Sequence, residues 1–345
     1  MSQSESIGVV DGRETRAFTI TNGKGLTARI MELGATLLEF HAPDRRGQLA
    51  DIALGEQGLA AYLVSHSYFG AICGRYGNRI GRGRLILDGK AHQLSCNEGR
   101  NHLHGGFRGF DKHLWSGRPA ADGRSVAFSY RSADGEEGFP GNLDAAVVYS
   151  LDEEDRFILE IEAETDRPTV CNLVHHGYWN LAGHGAGEVL DHELAIEADF
   201  YAPGDGELIP TGEIRGVEGT PMDFRAAKPI GRDIARVERI IGYDHSFVLR
   251  GAAGELKRAA RLFHPASGRG FELHTTEPGV QLYTAGHFDG RAMGKGGQAY
   301  PRFGGVALET QHFPDAPNKG HFLTTRLDPG QRYRHRMEFR FFMER

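Results

Sequence analysis

Cysteine is scarce. The 345 residues hold three, Cys73, Cys96 and Cys171. They form no CxxC pair, and an odd number in a chain this long argues against a disulfide framework; reduced thiols in the cytoplasm are the expectation. Long apolar runs are missing too. No window offers 18 consecutive apolar residues, so no spanning helix is expected. The opening MSQSESIGVVDGRETR has neither a basic segment nor an apolar one, so no secretory leader is expected. There is no excess of cations: 40 Lys and Arg stand against 46 Asp and Glu, a formal charge of −6, and the arginines are scattered. A nucleic acid or an anionic membrane would call for a basic face, so neither is expected as a partner.

Helical periodicity is also sparse; what the chain has is a period of two. Val126, Phe128 and Tyr130 fall on one face, as do Ala145, Val147, Tyr149 and Leu151. Phe157, Leu159, Ile161 and Ala163 alternate with Ile158, Glu160 and Glu162, and Tyr333, His335, Met337, Phe339 and Phe341 share a side. Such alternation puts one face of each strand on a core. Leu85 and Leu87 run into Asp88-Gly89, a favoured hairpin turn. Glycine, 48 residues, is about twice its average usage and suits many short elements joined by tight turns. The best helical stretch is Pro229 to Ile241, where Ile230, Ile234, Val237 and Ile241 recur at helical spacing behind a first-turn proline. The pattern predicts an all-β, mainly antiparallel fold with few short helices. It also predicts a single domain over 1–345, with 1–22 at its periphery. Two Gly-rich stretches, 99–113 and 284–305, read as loops that border a binding site or as mobile surface.

Five segments carry reactive side chains: 68–80, 101–115, 172–183, 242–249 and 308–318. In Val306-Ala-Leu-Glu-Thr, Val306 and Leu308 point one way while Ala307, Glu309 and Gln311 point the other. Glu309 is then either solvent-facing or lines a cavity, where burial would make it a better base. His102-x-His104 would share a strand face and suggest a metal, but Gly105 to Gly109 holds no carboxylate to complete a cupin-like set. His175 and His176, being adjacent, face opposite ways. No metal is expected. Arg79 could grip ligand oxygens or serve a structural ion pair, and Asp244-His245 could be a dyad or a turn. Tyr178-Trp179 could cover an apolar sugar face or pack in the core.

Taken together, NRI at 78–80, LHGG at 103–106 with GFDKHLW after it, HHGYWNLAG at 175–183, GYDHSF at 242–247, PGVQLYT at 278–284 and LETQ…PDAPN at 308–318 resemble the ordered motif series of the aldose 1-epimerase (galactose mutarotase) family. The resemblance runs from about Gly23 to the C-terminus. It implies a galactose-mutarotase-like antiparallel β supersandwich with an open groove on one sheet. It implies Glu309 as catalytic base, His176 as catalytic acid and His104 as a second catalytic-site histidine. Asn78, Arg79, Asp244 and Gln281 match substrate-binding positions. Two departures stand out: His175 where the family usually has Asn, and Ala285-Gly286 where many relatives carry Gly-Asn.

The implied reaction opens a cyclic hemiacetal and recloses it on the other carbonyl face, interconverting the α and β anomers of a free aldose. One base and one acid on opposite sides of the reacting centre suffice, a carboxylate and an imidazolium, with no cofactor. The implied partner is a monosaccharide, the chain a monomer or homodimer. Two alternatives stand: a non-catalytic sugar-binding or regulatory protein on the same scaffold, and a mutarotase of a phosphorylated hexose. The first could dispense with Glu309 or His176, and the second would call for a basic cluster that the sequence does not display.

Overall fold

The alternating segments pair as antiparallel ladders. In the computed structural model, which describes residues 4–291 and 293–344, three large sheets dominate. The broadest has nine strands. At its centre Leu143–Leu151, Arg156–Thr165, Tyr333–Met343, Arg269–Thr275 and Lys257–Phe263 pair in that order. Along Leu143–Leu151 every odd-numbered side chain is buried, as the period of two predicts. The second sheet has six strands, ordered Tyr178–Trp179, Val306–Gln311, Gly279–Tyr283, Asp244–Leu249, Ala198–Ala202 and Arg215–Gly216. The third has five, from Ser4–Val10 to Leu49–Asp51.

One apolar cluster lies between the nine- and six-stranded sheets. Val147, Leu159, Phe271 and Phe339 come from the first, Val280, Leu282, Leu308 and Trp179 from the second. The other face of the six-stranded sheet is therefore free to carry polar groups. Register places Asp244 and Ser246, Gln281 and Tyr283, Ala307 and Glu309 on it together.

Several expectations meet corrections. Pro229 to Ile241 is not an α-helix. Lys228–Pro229 pairs as a strand with Glu193–Ile196, and two 3-10 turns follow, Ile230–Arg232 and Ile234–Arg236. Ile230 is buried but Ile241 is half-exposed, so the spacing does not define one packed stripe. The α-helix among the described residues is Leu59–Val64, six residues long and too short for a periodic signal. Within the stretch expected at the periphery, Ser4–Val10 is the largely exposed edge strand of the five-stranded sheet, whereas Arg13–Thr21 pairs with Thr27–Met31 and buries Ala17, Phe18 and Ile20. Leu85 and Leu87 do run into a hairpin through Asp88-Gly89, with Leu87 opposite Lys90.

Of the Gly-rich loop expected at 284–305, Ala292 lies outside the described residues. Further along it, Lys295 reaches back into the molecule. Its Nζ donates to the Leu38 and Ala53 carbonyls and to Asp51 Oδ2.

Candidate active site

A pocket of about 470 Å³ opens on the free face of the six-stranded sheet. Four local structures bring side chains to it. The strand Val306–Gln311 contributes Glu309, 2% exposed. The strand Asp244–Leu249 contributes its first residue, Asp244. The third is a two-stranded ladder pairing Leu103 with Arg79 and His102 with Ile80, which carries Asn78, Arg79 and His104. The fourth pairs Val174 with Cys73 and His175 with Ile72, and leads into His176, whose amide donates to the Ala71 carbonyl.

Segments distant in sequence thus converge on one site. His176 Nε2 lies 3.6 Å from Glu309 Oε1. The two stand side by side rather than on opposite sides of the pocket, which suits a hemiacetal whose hydroxyl and ring oxygens are bonded to the same carbon. Arg79 is clamped bidentately by Glu98, with Nε and Nη2 each donating at 2.7 Å, and its Nη1 sits 3.7 Å from Asp244 Oδ2. Arg79 thus makes an ion pair and lines the pocket as well. Gln281 lies opposite Glu309 on the neighbouring strand and donates through Nε2 to Asp244 Oδ1 at 2.5 Å, standing behind Asp244.

Electrostatics set the resting state. Burial pushes the Glu309 carboxyl well above its ordinary value; the nearby Asp244 charge adds to this and Arg79 opposes it. Burial pulls His176 down to about 4, against the effects of its own backbone hydrogen bond and of Asp244. Burial therefore favours a carboxylic acid beside a neutral imidazole, rather than the expected carboxylate and imidazolium. Both arrangements hold one proton between the pair and differ only in where it sits.

His104 is neutral for the same reasons. Burial first, then the proximity of His176 and of the Arg79 guanidinium, draw it well below its ordinary range. The backbone N–H of Asn78 donates to its Nδ1 at 3.1 Å. That amide can only donate, so Nδ1 accepts and Nε2 carries the hydrogen, pointing a fixed donor into the pocket. The turn beyond His104 needs glycine. Gly105 has φ +97°, and a Cβ there would lie 1.7 Å from the Gly74 carbonyl oxygen.

Several side chains take other places than the motifs suggest. His104 has φ 49°, which breaks the strand alternation. His102 therefore turns away, its Nδ1–H donating to the Ser95 carbonyl and its ring packing edge-on against Phe139. His175 lies in the core against Tyr149 and Phe339, held down to about 3 by burial. Asp244 and His245 make no side-chain dyad; the Asp244 amide donates to His245 Nδ1. Trp179 packs in the core against Phe40 and Phe339, while Tyr178 lines the pocket, stacked on His176 at 4.8 Å. At the second departure, a Cβ on Gly286 would lie 1.9 Å from the Ile241 carbonyl oxygen, so the loop fits against Ile241 only as glycine.

Sequence reasoning missed Glu98, the partner of Arg79, and gave no role to Tyr68, Tyr283 or His287, which also line the pocket. Tyr68 packs on both His104 and His176. The only sequence signal for these residues was their place inside or beside the motif segments.

His104, His176 and Glu309 each offer a ligand atom within 4.8 Å of the others, close enough to hold a metal ion. The chemistry of the donors argues against one. His104 presents N–H rather than a lone pair. His176 Nδ1 has no partner among the described residues, whereas metal-bound imidazoles nearly always donate that second nitrogen to an acceptor.

Comparison with known proteins bears on the same site. The aldose 1-epimerase family pattern matches residues 16–340. Galactose mutarotase from Bos taurus is 44% identical over 316 residues, covering 92% of this chain and 91% of the relative. Aldose 1-epimerase from Escherichia coli K12 is 36% identical over 339 residues, 97% of each chain. Among solved structures, an aldose epimerase homologue from C. elegans superposes with a TM-score of 0.90 at 31% identity, covering 96% of this chain and 100% of the other.

Proposed function

The chain belongs to the aldose 1-epimerase family and interconverts the anomers of an aldose, and we propose that Glu309 and His176 carry the proton transfers of that reaction. The observation that supports this reading is the 3.6 Å approach of His176 Nε2 to Glu309 Oε1 at the floor of a sugar-sized pocket.

Ring opening needs the anomeric hydroxyl to lose a proton while the ring oxygen gains one. Glu309, as carboxylate, takes the first; His176, as imidazolium, gives the second; the bond between C1 and the ring oxygen breaks, leaving an aldehyde. Rotation about C1–C2 exposes the other carbonyl face. The same two groups then exchange roles, and the ring recloses with the protons restored. The pair starts with its shared proton on the carboxyl and reaches the working form by passing it across the gap. Sugar hydroxyls that hydrogen-bond to Glu309, together with Arg79, favour the carboxylate that burial alone disfavours. His104 gives its fixed Nε2–H to a substrate oxygen, a neutral donor that needs no reorganisation as charge develops. Asn78, Arg79 and Asp244 hold ring hydroxyls so that only one bond rotates, and Gln281 keeps Asp244 in place.

D-galactose is the substrate we propose first, on the strength of relatives named galactose mutarotase. Exchange measured by saturation-transfer NMR over galactose, glucose, xylose, arabinose and fucose tests this. Galactose should exchange fastest, and no exchange with any of the five overturns the reading. We place the enzyme in the cytoplasm, a setting that suits its three free cysteines, acting as one unit in monomeric or homodimeric form. No helix among the described residues is long and apolar enough to cross a membrane.

A further inference from the structure

Behind Asp244 and Gln281 lies a second cavity of about 300 Å³, at the lower end of the range of small-molecule sites, about 300–1,000 Å³. Asp244 borders both cavities, whereas Glu309, His176 and His104 line only the first. Its floor continues the same sheet face. Glu309 is opposite Gln281, and Gln281 is opposite Ser246, so the three form a polar row across three strands that leads out of the active site.

Three atoms of this row lack a hydrogen-bond partner among the described residues: Glu309 Oε2 on the side of the first pocket, and two that line the second cavity. Ser246 and Gln281 are each 3% exposed, and Ser246 Oγ and Gln281 Oε1 have no hydrogen-bond partner among the described residues. Buried polar atoms are nearly always paired. Two that are not, side by side in a cavity wall, are placed to pair with what enters it.

The charges around them do not favour an ion. Arg215 is held bidentately by Glu213, and Arg236 is paired with Asp233. Glu238 and Arg239 offset one another, and Asp205 and Asp244 add negative charge. Met222, Val237 and Tyr201 supply apolar surface beside the polar row, the combination that suits a ring with hydroxyl edges and C–H faces.

We propose that this cavity is a second, non-catalytic site for a neutral glycosyl ring, anchored by Ser246 Oγ and Gln281 Oε1. The proposal rests on the reading that the first pocket takes a sugar. The ring is either a free second monosaccharide or the further ring of a reducing disaccharide seated in the first pocket. Because Gln281 Nε2 holds Asp244, occupancy of the second cavity reaches the active site through that one hydrogen bond.

The test is equilibrium dialysis of the full chain with labelled D-galactose and, separately, lactose, for wild type, Ser246→Leu and Thr211→Trp. The leucine fills the cavity from its floor. Thr211 is exposed at the lip, so its tryptophan closes the mouth from outside the packed core, at the loss of the hydroxyl's contacts with the Pro203 carbonyl and the Glu213 amide. A free second sugar gives two galactose molecules bound per wild-type chain and one per variant chain. A linked second ring gives one lactose per chain, with a Kd raised about tenfold in both variants, the loss of one or two hydrogen bonds, and an unchanged galactose Kd. Either result supports the site, and the pair of results tells the two sources apart. Equal stoichiometry and equal Kd for both sugars across all three proteins overturns it. Galactose anomer exchange, measured in parallel at low sugar, should be unchanged in the variants. Its absence from the wild type would count against the epimerase chemistry while leaving the dialysis result to decide the second cavity.

Discussion

In two Glu–His pairs of this molecule the carboxylates are buried alike and behave oppositely. Glu309 beside His176 and Glu277 beside His312 each keep 3% of the carboxylate side chain exposed. Yet the Glu277 carboxyl is held below its ordinary range and the Glu309 carboxyl is driven well above it. Burial pushes both up. For Glu277 it is outweighed by the positive ends of His335 and His312 and by hydrogen bonds from His312 at 2.6 Å and from the Tyr333 hydroxyl at 3.3 Å. Glu309 Oε2 has no partner among the described residues, and its nearest histidine stands 3.6 Å off. A satisfied buried pair is structure. A buried pair left short of partners awaits a substrate to complete it.

The largest effects should separate the two pairs outright. Glu309→Gln should lower anomer exchange by about 10²–10⁴-fold while leaving sugar binding nearly intact, since the amide keeps the shape but cannot take the proton. His176→Asn should fall within the same range. Glu277→Gln should leave exchange per folded molecule close to wild type but destabilise the fold by about 3–5 kcal/mol, the cost of breaking a buried pair. Saturation-transfer NMR and thermal unfolding on the same samples measure both. If Glu277→Gln abolishes exchange in folded protein, the distinction drawn here is wrong.

Next in size is the Arg79 clamp. Glu98→Gln removes the charge that fixes the guanidinium, and KM should rise about tenfold with kcat little changed, as expected when ground-state and transition-state binding are lost together. A fall in kcat at constant KM would instead give Glu98 a part in the chemistry.

pH dependence sharpens the contrast further. Exchange requires one proton on the Glu309–His176 pair, so the profile should be bell-shaped. The acid limb reports a second proton arriving on His176, whose resting value is about 4, and the alkaline limb reports loss of the proton from the raised Glu309. Stability should move in opposite directions for the two carboxylates. A raised carboxyl binds its proton more tightly folded than unfolded, so the Glu309 contribution is present below the ordinary glutamate range and lost as pH rises through its folded value. Glu309→Gln should therefore gain in melting temperature over wild type as pH climbs, by roughly 1–2 °C per kcal/mol at this length. A depressed carboxyl contributes above the ordinary range and loses that contribution as pH falls, so the Glu277→Gln deficit should shrink in acid. Parallel melting curves for the two variants at every pH would undo the assignment.

The smallest expected effect is none. Exhaustive chelation should leave exchange unchanged, because His104 offers the cluster a hydrogen rather than a lone pair. A loss of activity restored by one equivalent of a divalent metal would reverse that conclusion.

Much of the architecture was legible before any coordinates. Strands such as Leu143–Leu151 announce themselves because one face is buried and the other is not. Of the site residues the motif segments pointed to, all but Gln281 line one pocket. What escaped was whatever depends on a local break or a distant partner. The alternation His102-x-His104 fails because His104 sits at positive φ, forced by the backbone approach at Gly105. Pro229 to Ile241 carries helical spacing, but its first residue is spent on a strand pair. Glu98 lies in a polar stretch with no pattern of its own and gains meaning only from Arg79, 19 residues earlier in the chain. The protonation of Glu309 and His176 follows from burial, which no motif records.

The Lys295 tether has a kinetic consequence. Its ammonium is bound to two backbone carbonyls and to Asp51 beneath the five-stranded sheet, and the same loop carries His287 and Phe288 to the mouth of the pocket. Pulling the Lys295 end of that loop away would strip an ammonium only 16% exposed of all three acceptors, so that end is expected to hold its place through turnover.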